Sequence, residues 1–367
     1  MSIAEFFSAA IAYPWVWAAL FLNFGVIFVN GWTDGPNSIA TCVTTRAMTA
    51  RAAVIMCAIL NFLGVLVFGF IFVWIFHNTS VAGTISKLVD VSAFSHNIDL
   101  FLCLVSCGLL AILIMSLICT KFGIPSSQSN LLIGGITGAG MAATCLTSGF
   151  GSNWFAHIGL DPWVLVLIGF FGSLVVGFFL GFGISKLLVL ICRRFTRGRT
   201  TRFFVKGQIF ASGLMSFVHG MQDGGKFIGV FAAVAAVVSP NGLAPSSLVG
   251  EWWVFIPTAV VIAGGTMMGG YGIIKTMGQK MGKLQKYQAF ATDLAAGLAM
   301  LVATFTALPV SSSNVKATAI LGAGASRSFR RVKWGNASKM ILSWILLFPA
   351  GALIGFLALL AFGWTCC

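Results

Sequence analysis

Long apolar runs decide most of what this chain can fold into. A helix of about 20 apolar residues crosses the hydrocarbon core of a bilayer. Apolar stretches occupy residues 11–29, 52–76, 100–119, 163–192, 226–239, 254–274, 287–307 and 336–363. Between them little is left to make a wet surface: only 8% of the 367 residues are charged, against about 25% in a soluble domain. The expected class is an all-α polytopic membrane protein, multi-pass in the cell membrane, with the lipid bilayer as its first partner.

The formal charge of +14 does not point to nucleic acid. The Lys and Arg residues sit in a few short loops between the apolar spans, as the positive-inside rule expects of cytoplasmic loops, and no basic helix or aromatic-basic patch is available. No signal peptide is expected, since residues 1–10 carry one Glu and no basic residue. The nine cysteines lie mostly inside apolar spans without CxxC spacing. Cys103 and Cys107, one helical turn apart, read as small hydrophobes rather than as ligands.

An internal repeat organises the chain. Phe28-Val-Asn-Gly-Trp-Thr-Asp34-Gly aligns with Phe217-Val-His-Gly-Met-Gln-Asp223-Gly, with Phe, Val, Gly, Asp and Gly in register. Pro125-Ser-Ser-Gln-Ser-Asn130 aligns with Pro309-Val-Ser-Ser-Ser-Asn314, and the match runs on to Ile136-Thr-Gly-Ala-Gly140 and Ile320-Leu-Gly-Ala-Gly324. The Asp-to-Pro separations in the two halves are nearly equal. Unrelated apolar helices would not place rare polar residues in register twice at one spacing.

Loop charge gives the two copies opposite orientations. Arg193, Arg194, Arg197, Arg199 and Arg202 form the strongest basic cluster and are placed inside. The loop 239–250 has no Lys or Arg and falls outside; Lys275, Lys280, Lys283 and Lys286, then Arg327, Arg330, Arg331 and Lys333, fall inside. In the first half Arg46 and Arg51 flank an inside turn, and the uncharged-to-acidic loop 147–161 lies outside; Lys87 is a single exception. This predicts two inverted-topology repeats, residues 1–195 and 196–367, of about five membrane segments each and ten to twelve in all, with residues 162–192 as the fifth. Transporters built this way carry their sites on broken helices near the midplane.

The acidic residues number eight, and Asp34, Asp223 and Asp293 are the three not in or beside loops or tails. A charge at the bilayer centre costs a few kcal/mol even on lenient scales and marks a functional site by default. Asp293 stands alone and suits a structural ion pair or helix cap equally well. Asp34 and Asp223 occupy equivalent places. Gly31, Gly35 and Pro36 around Asp34 predict a broken helix, with His219–Lys226 as the second copy. Irregular backbone at that depth must line a cavity or be buried in protein. Carboxylates and freed carbonyls there suit a small cation, sodium or proton, with Asn30, Asp34, Gln222, Asp223, Asn130 and Asn314 as candidate ligands.

The Pro-Ser-Ser-x-Ser-Asn motifs read as helix starts. A helix N-terminus favours an anion, and serine hydroxyls add donors suited to a tetrahedral oxyanion such as phosphate or sulfate. The candidate anion ligands are Thr33, Asp34, Asn37, Ser126, Ser127, Ser129, Asp223, Ser311, Ser312 and Ser313. Lys226 stands three residues after Asp223 and reads as its partner; Lys316 reads as reaching the anion or an aspartate, and Asp293 as supporting. Snorkelling to an interface is the competing reading for both lysines. No cofactor is expected.

At these residues the sequence resembles the inorganic phosphate transporter (PiT) family. That family carries a G-A-N-D-x-x-N/K-type signature in each half, matched at Asn30–Asn37 and His219–Lys226, and a P-x-S-x-[ST]-H motif, matched at Pro125–Asn130 and Pro309–Asn314. The stretches Gly264–Gly278 and Asn61-Phe-Leu-Gly-Val-Leu are similar to it as well. The resemblance implies symport of phosphate with sodium or protons, often by a homodimer, with Asp34, Asn37 and Asp223 at substrate and cation sites and the serines on phosphate. Asn130 and Asn314 stand where the family often has His, and Gln222 replaces an Asn. The missing histidines tilt the cation toward sodium. A permease for another oxyanion, sulfate first, is the alternative. A membrane enzyme is disfavoured, because His77, His96, His157 and His219 form no metal-ligand spacing; a passive channel fits paired broken helices less well.

Overall fold

The computed structural model describes residues 2–73, 87–89, 97–122, 126–194, 196–239, 243–279 and 284–363. Pro125, Asp90, Lys280 and Lys283 lie outside them. Within the bilayer every backbone N–H and C=O must be paired inside the protein, and the chain meets this with helices. They are α1 (Ile3–Ala12), α2 (Pro14–Thr33), α3 (Gly35–Thr44), α4 (Ala50–Val67, continued as a π-helix over Phe68–Val73), α5 (Ile98–Phe122), α6 (Gln128–Ser148), α7 (Leu160–Cys192), α8 (Arg197–Val237), α9 (Pro245–Leu248), α10 (Trp252–Met267), α11 (Tyr271–Gln279), α12 (Lys286–Phe305), α13 (Ser312–Ala325) and α14 (Trp334–Phe362). Among the described residues the only extended pairing is one isolated bridge, Val89 to Ile158.

Among the described residues seven helical spans are long and apolar enough to cross a membrane, α2 and α3 together making one, and the count is eight if the bent pair α10–α11 is taken as one span. The described residues therefore hold fewer full spans than the ten to twelve expected. Two reasons are visible. α13 is only 14 residues long, and the apolar run 226–239 is the end of the 41-residue α8 rather than a span of its own. The α10–α11 bend is 75°. It is made at Gly269 and Gly270, whose φ values of +89° and +37° favour glycine.

Helix seams recur between equivalent residues of the two halves. α6 packs on α14, and α13 on α7. A Cβ on Gly138 would lie 1.9 Å from the Ala352 carbonyl, and one on Gly322 would lie 2.0 Å from that of Phe178. α2 packs on α10, and α8 on α4. There a Cβ on Gly31 would lie 2.2 Å from Ile262 O and one on Gly265 2.0 Å from Phe28 O, while Gly220 and Gly64 make the same approaches to Asn61 O and Phe217 O at 2.3 and 2.1 Å. Small residues let membrane helices touch backbone to backbone, where dispersion and not hydrophobicity holds them together.

Side-chain contacts gather the basic segments at one end of the bundle. Thr45 Oγ1, beside Arg46, donates to Gln208 Oε1 of α8. The Phe204 ring meets Tyr287 and Phe290 at the start of α12. Phe182 of α7 meets Phe329, which stacks on Trp334. The outer faces of α7 and α14 stay apolar and exposed, for example Phe171, Val175, Phe179, Leu353 and Leu357, which suits contact with lipid.

Candidate functional site

Asp34 sits between α2 and α3. Pro36 has no N–H, so the chain crosses the interruption through Asp34 N–H to Asn30 O (2.8 Å) and Asn37 N–H to Asp34 O (3.0 Å). The break spans a single residue, with Asp34 still near helical φ and ψ (−95°, −34°). The second copy corrects the expectation of a second broken helix. α8 runs unbroken from Arg197 to Val237. It carries no Pro, and Gly224 and Gly225 are filled against by Val65 and Phe68, so the glycines serve close packing instead of a break.

Asp34 and Asp223 are 3% and 1% exposed. The Asn30 amide joins them: its Nδ2 donates to Asp34 Oδ2 at 3.4 Å and to Asp223 Oδ2 at 3.3 Å. Around Asp34, Ser313 Oγ donates to Oδ1 at 2.8 Å, and Asn37 Nδ2 reaches Asp34 Oδ1 (3.3 Å) and Ser313 Oγ (2.8 Å). Around Asp223, Lys226 Nζ donates to Oδ1 at 2.5 Å and to Ser129 Oγ at 2.6 Å, and also to Val310 O at 2.6 Å. Ser312 Oγ donates to Asp223 Oδ2 at 3.3 Å. A carboxylate buried this deeply needs hydrogen bonds and a counter-charge; Asp223 has both, with Lys226 as its cation, while Asp34 has neutral donors only.

The two motif helices thus deliver hydroxyls to one cluster from both halves. Ser129 lies in the first turn of α6 and Ser312 and Ser313 in the first turn of α13. Ser127 is the N-cap of α6, accepting from Asn130 N–H at 3.3 Å, while α13 has no side-chain cap. Ser126 and Ser311 are buried beside these starts. Thr33 stands one step away, its Oγ1 accepting from Gln128 Nε2 at 3.1 Å. Asn30 Oδ1, Asn37 Oδ1, Ser311 Oγ and both amide atoms of Asn314 are buried with no hydrogen-bond partner in the protein. Buried polar atoms are ordinarily paired, so these are valences a ligand can take up.

Three expected cation ligands make no bond to the carboxylates, Asn314 with its unpartnered amide among them. Gln222, one residue before Asp223, faces away around α8 and bonds Leu308 O and Thr304 Oγ1. The Asn130 amide donates to Trp344 O on α14 at 3.1 Å. Lys316 neither snorkels nor joins the central cluster. It is fully buried and pairs with Asp293, which also accepts from Thr41 and, at 2.6 Å, from Ser212 Oγ. Lys316 also donates to Ser38 O at 3.2 Å. Asp293 is therefore in an ion pair, one of its two expected roles.

Three contributors were not among the expected ligands, although His219 and Asn61 stand in stretches that resemble the family. His219 Nε2 lies 3.2 Å from Asp223 Oδ2, and its Nδ1 is 3.0 Å from Asn61 Oδ1. Gln128 holds Thr33. The position of His219, opposite Asn30 in the repeat alignment, was the available clue. A cavity of about 370 Å³, lined by Trp32, Thr33, Thr120, Met268, Tyr271 and Thr276 among others, reaches the cluster's edge at Thr33. The α10–α11 bend closes against the Asp34 break there: a Cβ on Gly270 would lie 2.4 Å from both Trp32 O and Pro36 Cγ.

A multi-pass helical bundle that buries two carboxylates among hydroxyls has the build of a membrane transporter. Residues 30–355 match the model of the phosphate transporter family. The chain belongs to that family. It is 33% identical over 332 residues, 90% of this chain and 92% of the other, to a protein of Bacillus subtilis (strain 168) described as a probable low-affinity inorganic phosphate transporter. A Rhizobium meliloti (strain 1021) protein of the same description is 32% identical over 358 residues, 96% of this chain and 98% of its own. A solved structure titled the sodium-dependent phosphate transporter shares the fold with a TM-score of 0.77 at 22% identity, over 96% of this chain and 100% of that one.

Proposed function

We propose that this protein imports inorganic phosphate together with a cation, sodium ahead of proton, by alternating access between two inverted repeats. One observation carries the reading: Asp34 and Asp223, at equivalent positions of the two signatures, are bridged by Asn30 and met by Ser313 and Ser312 of α13, while Ser129 of α6 reaches the cluster through Lys226. Phosphate near neutral pH keeps a proton that a carboxylate can accept, whereas sulfate has none to give. Serine hydroxyls and the uncapped start of α13 supply donors for its oxygens. The candidate anion set is Thr33, Asp34, Asn37, Ser126, Ser127, Ser129, Asp223, Ser311, Ser312 and Ser313.

A sodium ion takes hard oxygen ligands, as other hard cations do. Carboxylate, amide, hydroxyl and carbonyl oxygens all lie at the cluster, and among the described residues no group of three His, Cys, Asp or Glu forms a transition-metal site. The relative solved as a sodium-dependent transporter supports sodium first. We read the protein as a transporter and not an enzyme, in line with relatives described as transporters. A homodimer is the assembly suggested by the family resemblance.

The recurring glycine seams support two inverted repeats at 1–195 and 196–367. The gathering of basic segments at one end supports a cytoplasmic placement for that end. The substrate is tested by uptake of labelled phosphate into proteoliposomes with unlabelled competitors. Unlabelled phosphate should suppress the signal and equimolar sulfate should not; full suppression by sulfate would overturn the phosphate reading.

A further inference from the structure

The two aspartate half-sites are built on one plan and differ at one charge. Asn30 and His219 occupy equivalent positions, and each approaches the carboxylate one turn ahead of it: Asn30 Nδ2 to Asp34 Oδ2 at 3.4 Å, His219 Nε2 to Asp223 Oδ2 at 3.2 Å. Three residues after each aspartate stand Asn37 and Lys226. Both reach back to their own aspartate and across to the third serine of the opposite repeat's motif. Asn37 Nδ2 bonds Asp34 Oδ1 and Ser313 Oγ; Lys226 Nζ bonds Asp223 Oδ1 and Ser129 Oγ. Ser129 and Ser313 are themselves equivalent positions in the two motifs.

The chemistry at the tips is different. Lys226 is 1% exposed and its third donor goes to Val310 O at 2.6 Å. An ammonium has three donors and no acceptor, so it is saturated, by a carboxylate, a hydroxyl and a carbonyl. Those three oxygens are the kind of set that holds a hard monovalent cation. Asn37, 2% exposed, brings no charge, and its Oδ1 is a buried acceptor without a partner, as is Asn30 Oδ1 beside it. The Asp34 half therefore presents a carboxylate and spare amide oxygens with no cation of its own.

We propose that Lys226 is a tethered cation, filling at Asp223 the place that a mobile cation takes at Asp34, so that the transporter couples phosphate to one mobile cation where an Asn at position 226 would let it use two. This rests on the phosphate-symport reading and specifies its cation site. The groups charged or titratable around the pair are Asp34, Asp223, His219 and Lys226. Lys316 and Asp293 neutralise each other in a separate cluster, which leaves the Asp34 charge to the mobile ion.

Three measurements decide it. The first uses the unmodified protein in proteoliposomes with the membrane potential held at zero. The phosphate gradient at which net flux vanishes is found under a sodium gradient and, separately, under a proton gradient. A tenfold gradient of the driving cation should balance a phosphate gradient of about tenfold, one cation per phosphate; a balance of about a hundredfold would overturn the proposal. The second counts ²²Na⁺ bound to detergent-purified protein. Lys226→Asn should retain one more sodium per chain than the unmodified protein. Equal sodium binding by a folded Lys226→Asn protein, or a loss of phosphate affinity that excess sodium does not restore, would overturn it. The third is Asn37→Lys, which should lose one bound or coupled cation; unchanged cation dependence would overturn it. If Lys226→Asn does not fold, the first and third measurements still decide. If the unmodified protein moves no phosphate under either gradient, the phosphate reading fails, and sodium binding alone decides this inference.

Discussion

Replacing Asp34 or Asp223 by Asn should abolish phosphate accumulation while leaving a folded protein in the membrane. Each substitution keeps the shape and removes the charge on which the cluster is organised. Normal accumulation in either variant, with expression checked by size-exclusion chromatography, would remove these residues from the site. Ser312→Ala deletes a donor to Asp223 and should weaken phosphate affinity more than cation affinity. Ser127→Ala should do the same and also cost about 1 kcal/mol of stability, because Ser127 caps α6. The Lys316–Asp293 pair is a different case. Asp293→Asn strands a buried ammonium and should cost about 3–5 kcal/mol, read as a lowered melting temperature. Asp293→Asn combined with Lys316→Met should recover much of that loss; no recovery would mean that the pair does more than neutralise charge. At this scale the sequence exposed the aspartates, serines and lysines, since a polar residue inside an apolar run is conspicuous. It did not reveal which way they point. Gln222 and Asp223 are neighbours, yet a helix sends them to different partners. Thr41 and Ser212 meet Asp293 from distant elements, and nothing local marks such a meeting.

The elements are set by where backbones touch. Gly138→Leu on α6 would drive a side chain into the Ala352 carbonyl of α14, and Gly322→Leu would do so at Phe178 on α7. Each should destabilise by about 1–3 kcal/mol or more from overpacking. Gly183 on α7 has nothing within 4 Å of its would-be Cβ, so Gly183→Ala should be neutral or slightly stabilising. Fluorescence-detected melting of the three variants checks this; equal effects at all three positions would contradict the seam. The helix start at the first motif was legible because its capping residue, Ser127, acts locally; α13 starts at the matching register without a side-chain cap. The continuity of α8 was not. Gly220, Gly224 and Gly225 read as helix-loosening in isolation, and their real use is contact with Asn61, Val65 and Phe68, a tertiary cause. The 75° bend was likewise hidden inside an apolar stretch, although Gly269 and Gly270 sat at its centre.

Across the whole molecule, apolar run length carried the class, because it reflects partition into a bilayer and not particular contacts; loop charge supplies the orientation proposed above. Span number was less legible: the short α13 and the long α8 do not keep to one bilayer thickness per helix. With the basic end in the cytoplasm, Gly198→Cys should react with a membrane-impermeant maleimide only after the cells are opened. Gly151→Cys, in the loop between α6 and α7, should react in intact cells. The reverse pattern would invert the orientation. The most direct test of cation-coupled phosphate import is uptake of labelled phosphate into proteoliposomes under sodium and proton gradients imposed one at a time, alongside the Asp34→Asn protein. Accumulation above equilibrium should follow one imposed gradient, sodium first, and vanish in the variant. Phosphate that only equilibrates, whichever gradient is imposed, would contradict symport.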